Sequence, residues 1–398
     1  MPLRLPSLRA GHELLLLEGS AELFPAMVRA IDAATHGVWL ETYIFDFTGS
    51  SVAVAEALER AACRGVAVRV VVDGFGTPHV PAAWRQRLQE AGVDWQVYAP
   101  VGSLGVLWPG SWRRLHRKLC VVDDAVAFCG GINILDDLHD PNHGTLEAPR
   151  LDFSVQVSGP LVADVRRTIE QVWRRVRAVH TLRPQALADA LKTLRMRPAR
   201  QSRGRGGARA ALLLRDNLSH RAHIESAYLR AIGRAQHEVL VANAYFVPGR
   251  RLRQALVRAA RRGVRVTLLL QGRYEYFMQY YASRPVYDSL LRAGVEIHEY
   301  SPSFLHAKVA VVDGRWATVG SSNLDPLSLL LAREANVVVE DPEFATLLRE
   351  RLLQAIRLHG QATDPVQYAK RPLRQRVLER LALGLMRLAL LVQGKKYL

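Results

Sequence analysis

No stretch of this 398-residue chain is long and apolar enough to read as a membrane span. The run of four leucines in "ELLLLEG" (Glu13 to Gly19) falls far short of the ~20 apolar residues a crossing helix needs, and is too short for a secretory h-region. It reads as a short buried strand. Cysteine is scarce: Cys63, Cys120 and Cys129 are too few and too scattered for a disulfide framework or a zinc site, and read as reduced thiols of a cytoplasmic protein. Acidic residues are in deficit. Against 54 Lys and Arg stand 37 Asp and Glu, a net charge of +17, which excludes an acidic, solvating chain and favours a polyanionic partner, nucleic acid or an anionic membrane surface.

What is present describes a folded protein. Hydrophobic residues make up 49% and charged residues 23%, outside the range of disordered chains. The length exceeds what one hydrophobic core usually spans, about 250–300 residues, so two domains are expected.

The two halves repeat each other. "RGVAVRVVVDG" from Arg64 answers "RGVRVTLLLQG" from Arg262, "AGVDWQVY" from Ala91 answers "AGVEIHEY" from Ala293, and "HGVWLETYIF" from His36 answers "HEVLVANAYF" from His237. One unit has been duplicated, with a period too long for a solenoid. Each copy reads as strand, helix and strand, with Gly65 and Gly263 as helix stops. The fold class is therefore α/β, with right-handed crossovers and a largely parallel or mixed sheet covered on both faces. Residues 1–190 form the first domain, 191–210 a basic linker, 211–362 the second domain and 363–398 a basic C-terminal segment.

Within the repeat lies a constellation of polar residues. "LHRKLCVVDDAVAFCGGIN" (Leu115 to Asn133) and "LHAKVAVVDGRWATVGSSN" (Leu305 to Asn323) carry His, Lys, Asp, Gly and Asn at identical spacings. A lone His-x-Lys would suggest a surface ion pair; five positions do not recur by chance. Strand periodicity puts His116 and Lys118 on one face, and His306 and Lys308 likewise.

Two imidazoles with ammonium and amide donors suit displacement at a phosphodiester. One histidine attacks phosphorus and the other delivers a proton to the leaving alkoxide from the opposite side. Lys118, Lys308, Asn133 and Asn323 are the candidate phosphate ligands, since donors aimed at non-bridging oxygens stabilise the charge of the transition state. Gly131 and Ser321, at matching positions beyond the two motifs, are candidates to line the pocket, and the glycines there let the backbone approach closely. Tyr43 and Tyr245, equivalent positions on the first strand of each copy, are candidates to line the pocket or to pack in the core. Asp123 and Asp313 complete the catalytic motif, although carboxylates so placed more often tie strand ends together.

The pattern H-x-K-x4-D-x6-G-[GS]-x-N, present twice without a gap, resembles the phospholipase D superfamily. That resemblance implies two α/β domains related by a pseudo-twofold axis, an active site at their interface, and chemistry without a metal or other cofactor. It also implies a carboxylate that orients each histidine: Glu334 for His306, and Asp152 for His116 across the longer insert "LDDLHDPNHGTLEAP". In the family the first-motif histidine is commonly the nucleophile, here His116.

"NAYFVPG" from Asn243, "RDNLSHRAHIESAYLRAI" from Arg215 and "VGSSNLDPLSLLLAREANVVV" from Val319 further resemble bacterial cardiolipin synthases, especially the shorter synthase B type. This implies transfer of a phosphatidyl group between two phosphatidylglycerol molecules, with nucleic acid an unlikely partner, at the cytoplasmic face of a bacterial inner membrane. Lipid or nucleic-acid hydrolysis by a phospholipase D-type enzyme and a non-catalytic membrane scaffold are the alternatives. The C-terminal "RPLRQRVLERLALGLMRLALLVQGKKYL" reads as a basic amphipathic helix lying in the membrane interface, with packing on the second domain as the other reading. "VGSLGVLWPGSW" (Val101 to Trp112) is expected to insert in the bilayer or to act as a lid.

Overall fold

A computed structural model describes residues 5–100, 114–181, 207–216, 220, 222–274, 277–325 and 332–392. The insert Val101–Trp112 and linker residues 191–206 lie outside the described residues. The linker ends earlier than its composition suggests. Ala208–Ala210 already belong to the strand Ala208–Arg215, whose backbone is paired along its length with Ala332–Glu340.

Among the described residues, one mixed sheet of 16 strands runs through both copies. In the first half the order from the centre outward is Arg9–Glu18, Phe153–Ser158, Val126–Gly130, Lys118–Val122, Gly37–Thr42, Ala67–Asp73 and Asp94–Tyr98. The second half repeats it as Ala208–Arg215, Ala332–Glu340, Trp316–Gly320, Lys308–Val312, Glu238–Asn243, Arg265–Gln271 and Glu296–Tyr300, and adds Gly360–Ala362 at its edge. The two innermost strands, Arg9–Glu18 and Ala208–Arg215, join the halves antiparallel.

Chain connections explain which pairs are parallel. Gly37–Thr42, Ala67–Asp73 and Asp94–Tyr98 are parallel, as are Glu238–Asn243, Arg265–Gln271 and Glu296–Tyr300, because helices return the chain between them; the added edge strand Gly360–Ala362 is antiparallel. The helices Val52–Cys63 and Arg250–Arg261 serve this purpose; Gly65 at φ 86° and Gly263 at φ 89° turn the chain just beyond them, as expected from the sequence. The motif strands instead form tight antiparallel hairpins, Lys118–Val122 with Val126–Gly130 and Lys308–Val312 with Trp316–Gly320.

A central core draws on both halves. Leu119, Val121, Phe153 and Val155 pack in one cluster with Val309, Val311, Val337 and Val339, all nearly inaccessible. Burying each such side chain contributes about 1.5–3 kcal/mol, so the halves are held to each other by the same effect that folds each of them.

The C-terminal helix Leu373–Val392 packs on Phe277–Leu291 and buries Ala382, Leu383 and Met386. A second apolar stripe points away: Leu373, Val377, Leu381, Leu385 and Leu388, between 49% and 73% exposed, recur at helical spacing. Among the described residues, no helix is long and apolar enough to cross a membrane.

Candidate active site

His116 lies where two short strands meet. Arg114–Leu115 pairs in parallel with Ala332–Arg333 of the other half, and the His116 backbone N–H donates to the Arg333 carbonyl at 3.1 Å. The second half mirrors this: Leu305 bridges Leu151, and the His306 N–H donates to the Leu151 carbonyl at 2.9 Å. Each motif is thus stitched to the strand or loop that carries the other half's carboxylate.

The carboxylates consequently cross. His116 Nδ1 bonds Glu334 Oε2 at 3.1 Å, and His306 Nδ1 bonds Asp152 Oδ2 at 2.6 Å. This corrects the pairing inferred from resemblance, in which each carboxylate served the histidine of its own motif. The physical reason is the parallel seam, which brings residue 334 beside 116 and residue 152 beside 306. Bonding at Nδ1 leaves Nε2 of each imidazole available for chemistry.

Tyr43, His116, Asn133, Asp152, Tyr245 and His306 line one solvent-connected cleft of about 530 Å³. Both tyrosines therefore reach the site, and the Tyr43 ring stands 4.9 Å from that of His116. Lys118 and Lys308 are buried beneath the histidines, each Nζ donating to the carbonyl of the histidine two residues before it. Asn133 accepts from the Ile44 N–H at 3.2 Å, and its counterpart Asn323 is buried.

Gly131 and Ser321 do not form the cleft surface; they support the carboxylates. A Cβ on Gly131 would collide with the Asp152 carboxylate, and Ser321 Oγ donates to Glu334.

Asp123 and Asp313 are not in the site. Each stands just past the far end of its five-residue strand, roughly 23 Å of extended chain from the histidine. Asp123 takes three backbone N–H groups from Thr35, His36 and Gly37, each at 2.8 Å; Asp313 takes those of Gln236, His237 and Glu238 at 2.8–2.9 Å. Their place in the catalytic set is corrected: they fasten the strand Gly37–Thr42 or Glu238–Asn243 to the motif strand. Those bonds hold Asp123 at a pKa of about 2, against the cost of its burial.

Burial sets the protonation of the cleft. Loss of water lowers His116, partly opposed by Glu334. His306 falls well below 6.5 through burial and the nearby charges of Lys308 and Lys118. Burial also raises Asp152 to about 7 and lowers Lys118 to about 7. The His306–Asp152 pair therefore retains one exchangeable proton up to near-neutral pH, shared across a short bond.

Two features escaped the sequence reading. The first is an ion pair behind the first motif, where Arg117 meets the fully buried Glu41 at 2.6 and 3.0 Å. The second half has Ala307 and Ala242 at these positions, so the comparison of the repeats held the signal. The second is where the insert after the first motif goes: its Asp137, Asp140 and Asn142, with Arg150 just beyond it, enter the cleft wall.

A paired, two-motif site between duplicated halves of a mixed sheet defines the phospholipase D-like class. The family model described as "Cardiolipin synthase, PLD-like domain" matches residues 27–146 and 228–356, and the chain belongs to that family. It is 38% identical over 366 residues to cardiolipin synthase B of Shigella flexneri, covering 92% of this chain and 85% of the relative. It is 40% identical over 344 residues to cardiolipin synthase B of Salmonella typhi, covering 86% and 80%. In fold it is similar to the crystal structure of phosphatidylserine synthase from Haemophilus influenzae, with a TM-score of 0.71 at 14% identity, covering 100% of this chain and 97% of that one.

Proposed function

We propose that this chain is a phosphatidyltransferase that makes cardiolipin from two phosphatidylglycerol molecules and releases glycerol. The observation that carries the reading is the crossed pair of histidine–carboxylate bonds facing one cleft, in a chain of the cardiolipin synthase family.

His116 Nε2 attacks the phosphorus of the first phosphatidylglycerol. The P–O bond to glycerol breaks, and the proton held by the His306–Asp152 pair passes to the departing alkoxide. In the second step the free hydroxyl of another phosphatidylglycerol attacks the phosphohistidine. Its proton returns to His306, the P–N bond breaks, and His116 is regenerated. Glu334 steadies the imidazolium character of His116 as the bond to phosphorus forms. Lys118, Lys308, Asn133 and Asn323 face the non-bridging oxygens; losing one such donor typically costs about 2.7–4 kcal/mol.

The protein works as a peripheral enzyme at the cytoplasmic face of a bacterial inner membrane. The stripe Leu373, Val377, Leu381, Leu385 and Leu388 enters the interface, with Arg374 and Arg380 exposed beside it to meet anionic headgroups.

Purified protein with phosphatidylglycerol vesicles tests the activity. Cardiolipin and glycerol in equal amounts are the expected products. Phosphatidic acid without cardiolipin would make the protein a hydrolase, and no turnover would favour a scaffold.

A further inference from the structure

Cardiolipin carries two phosphates separated by one glycerol. Its synthesis therefore requires a second phosphate to rest near the reacting phosphorus without reacting, whereas simple hydrolysis does not. Lys118 and Lys308 are buried, and each donates to the carbonyl of the histidine two residues before it.

Another cation stands in the same cleft. Among the described residues lining it, Arg150 is the only Lys or Arg. It directly follows the insert after the first motif, two residues before Asp152, and its charge reaches His306. The guanidinium is ordered in advance: Nη1 donates to the Asp136 carbonyl at 2.8 Å, and Nη2 to Asp140 at 2.8 Å and to the His139 carbonyl. Asp140 is itself fixed by the N–H groups of Asn142 at 2.8 Å and His143 at 3.1 Å, and by the His143 ring at 3.0 Å. Those bonds engage three of the five guanidinium N–H groups and leave two to donate. The Nε–H and one Nη1–H that remain lie on different edges of the guanidinium, so the group offers a phosphodiester a fixed positive charge with single N–H donors.

Resting on the cardiolipin reading, we propose that Arg150 holds the phosphate of the acceptor lipid, so that the acceptor's free glycerol hydroxyl reaches the phosphohistidine. The insert is built into one half alone, and the reaction also distinguishes donor from acceptor. Water and free glycerol, which carry no phosphate, do not use this contact.

The test compares a charged and a neutral acceptor on the same intermediate. Vesicles of phosphatidylglycerol are incubated with labelled glycerol; label entering phosphatidylglycerol reports transfer to glycerol, and cardiolipin reports transfer to lipid. Arg150→Gln is expected to lower cardiolipin formation at least tenfold while glycerol exchange stays within about twofold of wild type. Arg150→Lys, which restores a positive charge without the guanidinium's fixed bonds to the insert, is expected to recover part of the loss. Equal loss of both activities in both variants would make Arg150 a pin for the insert and overturn the proposal, as would unchanged cardiolipin formation. A wild-type protein that exchanges glycerol yet forms no cardiolipin would instead refute the underlying activity before any variant is compared.

Discussion

His116 and Glu334, 218 positions apart and in different halves of the repeat, share a hydrogen bond of 3.1 Å. Asp152 and His306 make the reciprocal bond. Neither half contains a complete histidine–carboxylate unit, so the catalytic apparatus exists only when both halves are folded against the common core.

The crossing makes a specific demand on coupled substitutions. His116→Ala and Glu334→Gln act on one unit, and so do His306→Ala and Asp152→Asn. The first single variant of each pair is expected to lower kcat by about 10²–10⁴-fold, the usual worth of positioned acid–base groups. Adding the second is expected to cost little more, a strong non-additivity measured by double-mutant cycles. Full additivity within these pairs, with coupling of His116 to Asp152 instead, would contradict the geometry.

Rate should depend on pH in two limbs. His116 must lose its proton to attack, and its pKa lies below the usual 6.5, so kcat/KM rises through the acid range. The His306–Asp152 pair must retain its proton, and Lys118 its charge; both are lost near pH 7, so kcat/KM falls above it. Asp152→Asn is expected to move the alkaline limb, and a rate profile of that variant checks it.

Stability carries a linked signature. Burial depresses Lys118 in the folded state to about 7, against 10.5 for the exposed group, so between those values the unfolded chain binds a proton that the folded chain does not. Stability from this group is fully present above pH 10.5 and is lost as pH falls through about 7. Lys118→Met should flatten that part of the Tm–pH curve.

Behind the first motif, breaking the buried Arg117–Glu41 pair from one side strands a charge. Arg117→Ala or Glu41→Ala alone should cost about 3–5 kcal/mol. Replacing both with alanine, which copies Ala307 and Ala242 of the second half, should recover much of it in denaturant unfolding.

Gly131 offers a steric test. Its missing side chain leaves room for the Asp152 carboxylate. Gly131→Ala should displace that carboxylate and lower kcat at least tenfold, with a stability cost of about 1–3 kcal/mol.

The motif was legible because the chain states it twice. Identical spacing around His116 and His306 pointed to two residues that the fold brings to one cleft, and Gly65 and Gly263 marked helix ends that the backbone confirms. The same symmetry concealed the crossing. Both halves offer an equivalent carboxylate, and only the seams between Leu115 and Arg333 and between Leu305 and Leu151 decide which histidine it meets. Asp123 and Asp313 repeat with the motif and were counted in its catalytic set, yet what repeats is the tying of strand ends that the sequence reading had set beside that role. Arg150 was invisible for the opposite reason: its counterpart two residues before Glu334 is Ala332, so no repetition drew attention to it.

In the proposed mechanism His116 attacks the phosphorus, His306 serves the leaving and then the entering oxygen on the opposite side, and an enzyme-bound phosphatidyl group stands between the two steps. Two in-line displacements each invert the phosphorus, and their sum is retention. A donor lipid made chiral at phosphorus with sulfur in one non-bridging position should give product of retained configuration. Inversion would mean a single direct displacement, and the phosphohistidine mechanism would fail.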